Sequence, residues 1–128
     1  MSDDLHDDGM EVRRAVLGDA HVDRAIANTT DFTAPFQELI TKMAWGSVWT
    51  RDGLERRERS MITLAVLCAL RCEDELAMHV RAALRNGLTP DEIREVLLHT
   101  AVYAGVPQAN TAFAAAQRVL REEGAIGE

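Results

Sequence analysis

The stretch TPDEIREVLLHTAVYAG, residues 89–105, decides the fold class of this chain. It opens with Thr89, has Pro90 at the next position, and has Glu92 three residues after the threonine. A threonine and a glutamate at this spacing form a capping box, and proline is favoured at the first helical position. The stretch therefore predicts an α-helix that begins at a well-marked residue.

The segments on both sides of this stretch also have helical patterns. The segment EDELAMHVRAALRNG, 73–87, closes with Asn86 and Gly87, a typical C-terminal signal. The segment ERRERSMITLAVLCALR, 55–71, has a charged first turn and an almost unbroken apolar body, which at that length favours a buried helix over a strand. Downstream, QANTAFAAAQRVLREEG, 108–124, predicts a helix rich in small residues.

The N-terminal part of the chain predicts three more helices. A helix over roughly 34–46 follows a Thr33 cap and a proline, and carries large apolar residues on one face. Two short helices are predicted from MEVRRAVLG, 10–18, and DAHVDRAIAN, 19–28, which end in Gly and Asn.

No segment alternates apolar and polar residues with a period of two, so the fold class is all-α, with about six to seven helices. The length of 128 residues favours a single compact domain, predicted over 10–128. The start of the chain, 1–9, is acidic and poor in apolar residues, so we expect a solvated flexible tail there.

The charge of the chain limits its partners. The formal net charge is -7 and the pI is near 5.1, whereas nucleic acids and anionic membrane surfaces bind basic faces. We therefore expect neither partner. No apolar run approaches the ~20 residues that span a bilayer, and the acidic start lacks the pattern of a secretory signal. A cytoplasmic location is the expectation.

Histidine is the natural candidate for acid-base chemistry because its ordinary pKa lies near neutral pH. His79 follows Glu75 by four residues, so on a helix the carboxylate could orient the imidazole. The alternative is a solvated surface pair. His99 lies in an apolar stretch and is more typical of an interior or interface residue, while His6 and His21 are expected to be exposed.

A metal site, a redox pair of cysteines and a tryptophan-lined pocket are the other candidate sites in the sequence. A metal site is not expected, because the di-iron bundle motif is Glu-x-x-His and this chain has Glu-x-x-x-His without a second copy. Cys68 and Cys72 lack the redox spacing Cys-x-x-Cys, and Cys68 is expected to be a small core residue. Trp45 and Trp49 are interpreted as core and interface anchors, or else as walls of a pocket.

Three segments together resemble the carboxymuconolactone decarboxylase family, whose members act without a cofactor in the protocatechuate branch of the β-ketoadipate pathway. The segments are AWGSVWTRDGLERRERSMITLAVLCAL, EDELAMHVRAALRNGLTPDEIREVLLHTAVYAGVP and the alanine-rich helix after them. The resemblance covers nearly the whole chain beyond the tail. It departs where Arg-Pro-Gly-Leu is expected and the chain has RDGL.

The resemblance implies the all-helical fold of alkylhydroperoxidase D, with subunits assembled as trimers or hexamers. In that relative a pair of thiols precedes the histidine, and the equivalent positions here are Cys72 and Glu75, followed by His79. The second thiol is missing, which argues against disulfide-reductase chemistry. Glu58, in RRERS, matches an acidic position of the superfamily.

The implied reaction needs an electron sink, which in other decarboxylases is a Schiff-base lysine, a cofactor or a metal. Lys42 is the single lysine and no cofactor motif is present, so the lactone substrate is expected to act as its own sink. The implied proton donor is His79, with Glu58 and Glu75 holding the imidazole or relaying the proton.

The substrate is expected to be a lactone dicarboxylate. Arginine binds carboxylates with two hydrogen bonds, and Arg51 is the predicted substrate-binding arginine, with Trp45 and Trp49 beside it. Arg81 and Arg85 fall away from the His79 face of their helix.

Two other functions stay open: a peroxidase-like or uncharacterised member of the superfamily that uses Cys72, and a non-catalytic helical interaction module. A homo-oligomer, a hexamer built as a trimer of dimers, is expected from the family and from the apolar surface of LLHTAVYAG and TAFAAAQRVL.

Overall fold

The computed structural model describes residues 3–127, and within that range it consists of helices and their connections without a strand. The prediction of an all-α fold with about six to seven helices is confirmed. The elements are α1 Asp4–Leu17, α2 Asp19–Ala27, α3 Ala34–Ile40, the π-helix Thr41–Val48, α4 Arg56–Ala69, α5 Glu73–Arg85, α6 Pro90–Ala104 and α7 Val106–Glu122. Among the described residues, no helix is both long and apolar enough to cross a membrane.

The chain divides into two compact units, Met1–Glu55 and Arg56–Glu128, and each is described by itself. The first unit contains α1 to α3 and the π-helix, and the second contains α4 to α7. The predicted domain over 10–128 runs through both units, and its description as one domain stays a prediction.

The first helix begins earlier than its composition suggested. The Asp3 side chain accepts a hydrogen bond of 3.2 Å from the backbone N–H of His6, and α1 starts at Asp4. The predicted tail is therefore wrong for residues 4–9, while residues 1 and 2 lie outside the described range. Aspartates stabilise a helix N-terminus through its dipole, so an acidic start that looked solvated begins a helix.

Two glycines allow α1 to pack closely against the π-helix in the first unit. A Cβ atom on Gly9 would clash with the carbonyl oxygen of Thr41 and lie 2.9 Å from the backbone nitrogen of Gly46. A Cβ atom on Gly46 would lie 2.5 Å from the carbonyl oxygen of Leu5. The predicted helix over 34–46 is present as α3 and the π-helix, which continues to Val48.

The second unit has its own apolar core. Residues from α4 to α7 contribute, among them Leu64, Leu76, Val80, Ile93, Leu97, Ala112, Ala115, Ala116 and Val119. The small residues of α7 are thus buried within this unit, so the expectation that TAFAAAQRVL supplies surplus apolar surface is wrong. Because alanine side chains are small, α7 packs closely on its neighbours, and its apolar surface is buried in these contacts.

The apolar body of α4 is buried along one face only. Ser60, Leu64 and Cys68 are buried, whereas Ile62 and Val66 on the other side are about half exposed. The prediction of a helix over a strand is therefore confirmed, and the predicted burial holds for one face of the helix. A continuous apolar run gives no information about which face of the helix is covered.

Candidate active site

His79, the predicted proton donor, lies in the middle of α5. Its side chain is half-buried, and its Nδ1 atom is buried. Glu75 lies one turn earlier on the same helix and is exposed. Residues four apart on a helix are neighbours on its surface, so the structure has the helical spacing on which the sequence-based hypothesis rested. The roles of both residues stay predictions.

The N-terminal end of α5 is strongly acidic. Its first turn contains Glu73, Asp74 and Glu75, and all three side chains are exposed. These carboxylates interact favourably with the helix dipole, but they repel an anionic molecule. A dianionic substrate bound near His79 would therefore require a cation from another part of the protein.

Glu58 lies in the first turn of α4, next to Arg57, whose side chain contacts residues at the end of α5 and at the start of α6. Arg57 Nε lies 3.8 Å from Glu58 Oε2, and Arg57 Nη1 donates a 2.6 Å hydrogen bond to the carbonyl oxygen of Gly87. Arg57 also forms an ion pair with Glu92, in the first turn of α6. The arginine holds the pKa of Glu92 below its usual range, and a hydrogen bond from the Thr89 backbone lowers that pKa further.

The capping box predicted for α6 is confirmed. Glu92 donates its backbone N–H to Thr89 Oγ1 at 3.1 Å, and Thr89 donates its backbone N–H to Glu92 Oε1 at 2.9 Å. Because Glu92 also pairs with Arg57, the first turns of α4 and α6 are fixed by the same carboxylate.

A second contact sets the register of α5 against α4. Asn86 Nδ2 donates a 2.8 Å hydrogen bond to Ser60 Oγ, so the start of α4 lies beside the end of α5. Asn86 follows His79 by two helical turns, about 10 Å along the axis. Glu58 precedes Ser60 and is therefore nearer to Asn86 than to His79 along this helix pair. The register favours Glu75 over Glu58 as the carboxylate next to the imidazole.

The two cysteines have different environments. Cys68 is buried in the core, as expected, and burial raises the pKa of its thiol. Cys72 is the N-cap residue of α5, is half-buried, and its Sγ atom lies 3.9 Å from the carbonyl oxygen of Leu70. Both thiols are free. Cys72 is thus the more accessible thiol.

The predicted substrate-binding residues all belong to the first unit. Trp45 is buried within the π-helix, and Trp49 directly after this helix is half-buried. Their ring centroids are 5.1 Å apart at a tilt of 35°. Arg51 is exposed, and its backbone N–H donates to the carbonyl oxygen of Val48 at 3.1 Å. Burial of Trp45 fits the anchor interpretation, while substrate binding by Trp45, Trp49 and Arg51 stays a prediction.

A buried arginine in the first unit was missed by the sequence analysis. Arg13 on α1 is only 6% exposed. It donates hydrogen bonds to Thr41 Oγ1 at 3.3 Å and to Gln37 Oε1 at 3.1 Å. Burial lowers the pKa of the guanidinium, and neighbouring Arg14 lowers it further. The sequence signal for this burial is spacing: Arg13 follows Gly9 by four residues and precedes Val16 by three. On a helix, it therefore shares a face with these two residues, which are also buried.

His99 lines an open apolar groove in the second unit. The groove has a volume of about 470 Å³, lies between α4 and α6, and has acidic residues at one end. The His99 ring is exposed, with its centroid 5.0 Å from that of Tyr103. Of the two positions expected for His99, interior or interface, the interior one is therefore wrong, and the interface one stays a prediction. Within residues 3–127, no three His, Cys, Asp or Glu side chains are grouped as a metal site.

Two known proteins resemble this chain over nearly its full length, and a third resembles part of it. The model of the carboxymuconolactone decarboxylase family matches residues 34–118. A 4-carboxymuconolactone decarboxylase from Acinetobacter baylyi is 49% identical over 120 residues, covering 94% of this chain and 90% of the relative. A nitrosuccinic acid decarboxylase from Metarhizium robertsii is 45% identical over 125 residues, covering 94% and 87%. A 4-carboxymuconolactone decarboxylase from Pseudomonas putida is 61% identical over 41 residues, covering 32% of this chain and 85% of the relative.

Proposed function

The chain belongs to the carboxymuconolactone decarboxylase family, and from that premise we propose that it converts 4-carboxymuconolactone to the β-ketoadipate enol-lactone. It is a carboxy-lyase, and the pathway of this reaction is protocatechuate catabolism. The observation that carries the proposal is the 49% identity to a relative of that activity over nearly the whole of both chains.

The chemistry of this substrate is compatible with a reaction without a cofactor. Loss of carbon dioxide leaves an electron pair on carbon, and the carboxylate of this lactone is vinylogous to the lactone carbonyl. The pair can therefore move onto the carbonyl oxygen as a dienolate. The protein has to bind the two carboxylates, stabilise the developing negative charge, and protonate the ring carbon.

His79 is the residue proposed to deliver that proton. An imidazole has an ordinary pKa near the working pH, so it can be protonated before the step and reprotonated after it. The half-buried position in α5 supports this role, because the residue is only partly shielded from solvent. Glu75, one turn earlier, is proposed to orient the ring. Glu58 is the second candidate for that role.

A second candidate substrate class follows from the relative named nitrosuccinic acid decarboxylase. Nitrosuccinic acid is also a dicarboxylic acid, and its nitro group can accept the electron pair that decarboxylation leaves. The two substrates share two anionic groups and an internal electron sink. Comparison of kcat/KM for the two acids identifies which of them this chain prefers.

Assembly and location form a further part of the proposal. Leu70, Val102, Tyr103 and Val106 in the second unit are each between 69% and 80% exposed. Large apolar surface of this kind is usually covered by a partner, and we propose a homo-oligomer, a trimer or hexamer. Light scattering of the purified protein at micromolar concentration tests it, and a monomeric mass contradicts it. We also propose a cytoplasmic location, as expected from the sequence.

The activity is tested by incubating purified protein with 4-carboxymuconolactone, following the loss of its absorbance and the release of carbon dioxide. Iodoacetamide at neutral pH should modify Cys72 under native conditions and Cys68 only after unfolding. Turnover that survives EDTA and this alkylation excludes the reaction that uses Cys72. Absence of turnover would instead favour the non-catalytic interaction module.

A further inference from the structure

The outer face of the helix pair α4 and α6, within the second unit, carries large apolar side chains that the chain leaves exposed. Val102 and Tyr103 on α6 are 79% and 80% exposed. Ile62 and Val66 on α4 and Leu98 on α6 are each about half exposed. The groove of about 470 Å³ runs between the same two helices. Apolar side chains and groove together form one surface, the α4–α6 face.

The apolar area of the α4–α6 face matches one side of a stable protein interface. Large apolar and aromatic side chains carry roughly 100–250 Å² each, so the five exposed ones present on the order of 500 Å² to solvent. A stable interface buries about 800 Å² on each partner, of which roughly 60% is apolar. One partner of similar size would therefore cover the α4–α6 face.

The α4–α6 face has a concave half and a convex half. In the concave half, Met61 and Ala65 of α4 and Val96 of α6 line the groove with apolar atoms. In the convex half, Tyr103 follows Thr100, the last groove residue of α6, by three positions and extends into solvent. The face thus contains both a cavity and a side chain of the shape that fills a cavity.

A two-fold axis across the α4–α6 face would bring its two halves together. In an interface of this symmetry, residue i of one copy contacts residue j of the other, and residue j contacts residue i. Val96 in the groove and Tyr103 are seven residues apart, about 10 Å along the helix. An axis that passes midway between them places Tyr103 of each copy over the groove of the other copy.

The charges of the groove fit a neutral side chain better than a basic one. Three carboxylates line it, those of Asp91, Glu92 and Glu95. Asp91 forms an ion pair with Arg94, and Glu92 forms one with Arg57. Two of the three negative charges are therefore balanced within the chain, so a partner needs no cation to bind there.

From these features we propose that the α4–α6 face is a two-fold interface between two copies of this chain, in which Tyr103 of one copy fills the groove of the other. Tyrosine is enriched among the residues that dominate binding energy, because it buries a large ring and keeps a polar tip. The phenol O–H would donate a hydrogen bond to the Glu95 carboxylate.

This inference rests on the homo-oligomer of the proposed function and names the surface that joins its copies. A closed trimer contains no two-fold axis, whereas a hexamer built as a trimer of dimers does. The interface therefore selects the hexamer from the two assemblies proposed. Its loss should halve the mass of the assembly, because the copies are no longer joined in pairs.

The first test is sedimentation velocity of Tyr103→Ala over a concentration series. We expect the dissociation constant of the two-fold contact to rise about 30-fold or more, the loss typical of a dominant interface residue, and the mass to be halved at micromolar concentration. Tyr103→Phe keeps the ring and should raise the constant about tenfold or less. The control Arg118→Ala truncates an exposed residue of α7 and should keep the mass of the wild type.

The second test changes the groove instead of the side chain that fills it. Ala65→Trp places a bulky ring in the groove, so we expect this variant to lose the two-fold contact as Tyr103→Ala does. Circular dichroism and Tm establish that each variant is folded. Tyr103→Ala tests the proposal even if Ala65→Trp does not fold, because Tyr103 is an exposed residue of the single chain.

The third test is a cross-link between two different copies. Ala65→Cys and Tyr103→Cys are prepared as separate proteins, each with Cys72→Ser, which removes the more accessible natural thiol. After subunit exchange and oxidation, the mixture should contain a disulfide-linked dimer on a non-reducing gel. Neither protein alone should form it, because each lacks the facing thiol.

The outcomes separate this interface from the proposed function. Unchanged mass in folded Tyr103→Ala and Ala65→Trp overturns the interface and leaves the groove to another occupant, and a monomeric wild type also overturns it. Carbon dioxide release from 4-carboxymuconolactone is measured separately. A wild type that forms the cross-link without turnover contradicts the decarboxylase proposal and still supports the interface.

Discussion

The side-chain amide of Asn86 donates a 2.8 Å hydrogen bond to the buried hydroxyl of Ser60, and this contact fixes the end of α5 against the start of α4. The helix that carries His79 is thereby held at a defined position along its neighbour. Arg57 supports the same junction through the Gly87 carbonyl group.

Removal of this contact should destabilise the protein. For Asn86→Ala we expect a loss of about 1–3 kcal/mol in the free energy of unfolding, because the Ser60 hydroxyl is left buried without its partner. Urea unfolding of Asn86→Ala, Ser60→Ala and the double variant measures the coupling. Additive effects of the two single changes would show that the hydrogen bond does not stabilise the junction.

The ion pair of Glu92 with Arg57 predicts a pH dependence of stability. The pKa of Glu92 is lowered in the folded protein, so its contribution is present above the ordinary value of 4.5 and is lost as the pH falls through the folded-state pKa. Glu92→Gln keeps a capping side chain but removes the charge. We therefore expect Glu92→Gln to be less stable than the wild type at pH 7.

The two Tm values should converge as the pH falls below 4.5, where the wild-type carboxylate becomes protonated. Thermal unfolding from pH 7 to pH 3 follows this difference. A Tm difference that stays constant over that range would assign the effect to the capping geometry instead of the charge.

The contact of Gly9 with the π-helix predicts a steric effect. Gly9→Ala places a methyl group against the backbone of Thr41 and Gly46, which cannot move aside as a flexible side chain would. We expect the free energy of unfolding to fall by about 1–3 kcal/mol, despite the higher helix propensity of alanine.

Gly53→Ala is the matched control for Gly9→Ala. Its added methyl group would meet no atom within 4 Å, and its φ is not among the positive glycine values. Denaturant unfolding should leave this variant within roughly 0.5 kcal/mol of the wild type. Equal stability of Gly9→Ala and Gly53→Ala would contradict the close packing of α1 on the π-helix.

Features encoded locally could be predicted from the sequence. Thr89, Pro90 and Glu92 define the start of α6 by their own hydrogen bonds, and the structure places that start where the pattern does. The helical start of α1 is not evident from the composition of residues 1–9, because it depends on the hydrogen bond by which Asp3 caps the helix.

Features that depend on tertiary packing could not be predicted. Burial of Arg13 requires the close approach of α1 and the π-helix, which no local pattern states. The exposed side of α4 at Ile62 and Val66 depends on which neighbours cover the helix. The helical spacing of Glu75 and His79 is local to α5 and could be predicted from the sequence, while the roles of both residues stay predictions. Glu58 lies on α4, and its position relative to α5 depends on the tertiary contact between Asn86 and Ser60.

His79 is proposed to supply the proton, and His79→Ala tests this role, with substitution of another histidine as the control. His79→Ala should lower kcat on 4-carboxymuconolactone by about 10²-fold or more, as expected when a positioned acid is lost. His99→Ala changes the exposed histidine of the groove and should keep kcat within roughly threefold of the wild type. The helical circular-dichroism spectrum and the oligomer mass of both variants should be unchanged.

The most direct measurement is therefore the kcat of purified His79→Ala, followed by carbon dioxide release under saturating 4-carboxymuconolactone. We expect about 1% of wild-type turnover or less in a folded protein. Near-normal turnover in that variant would contradict it, and a comparable loss in Glu58→Gln without one in Glu75→Gln would move the acid to Glu58.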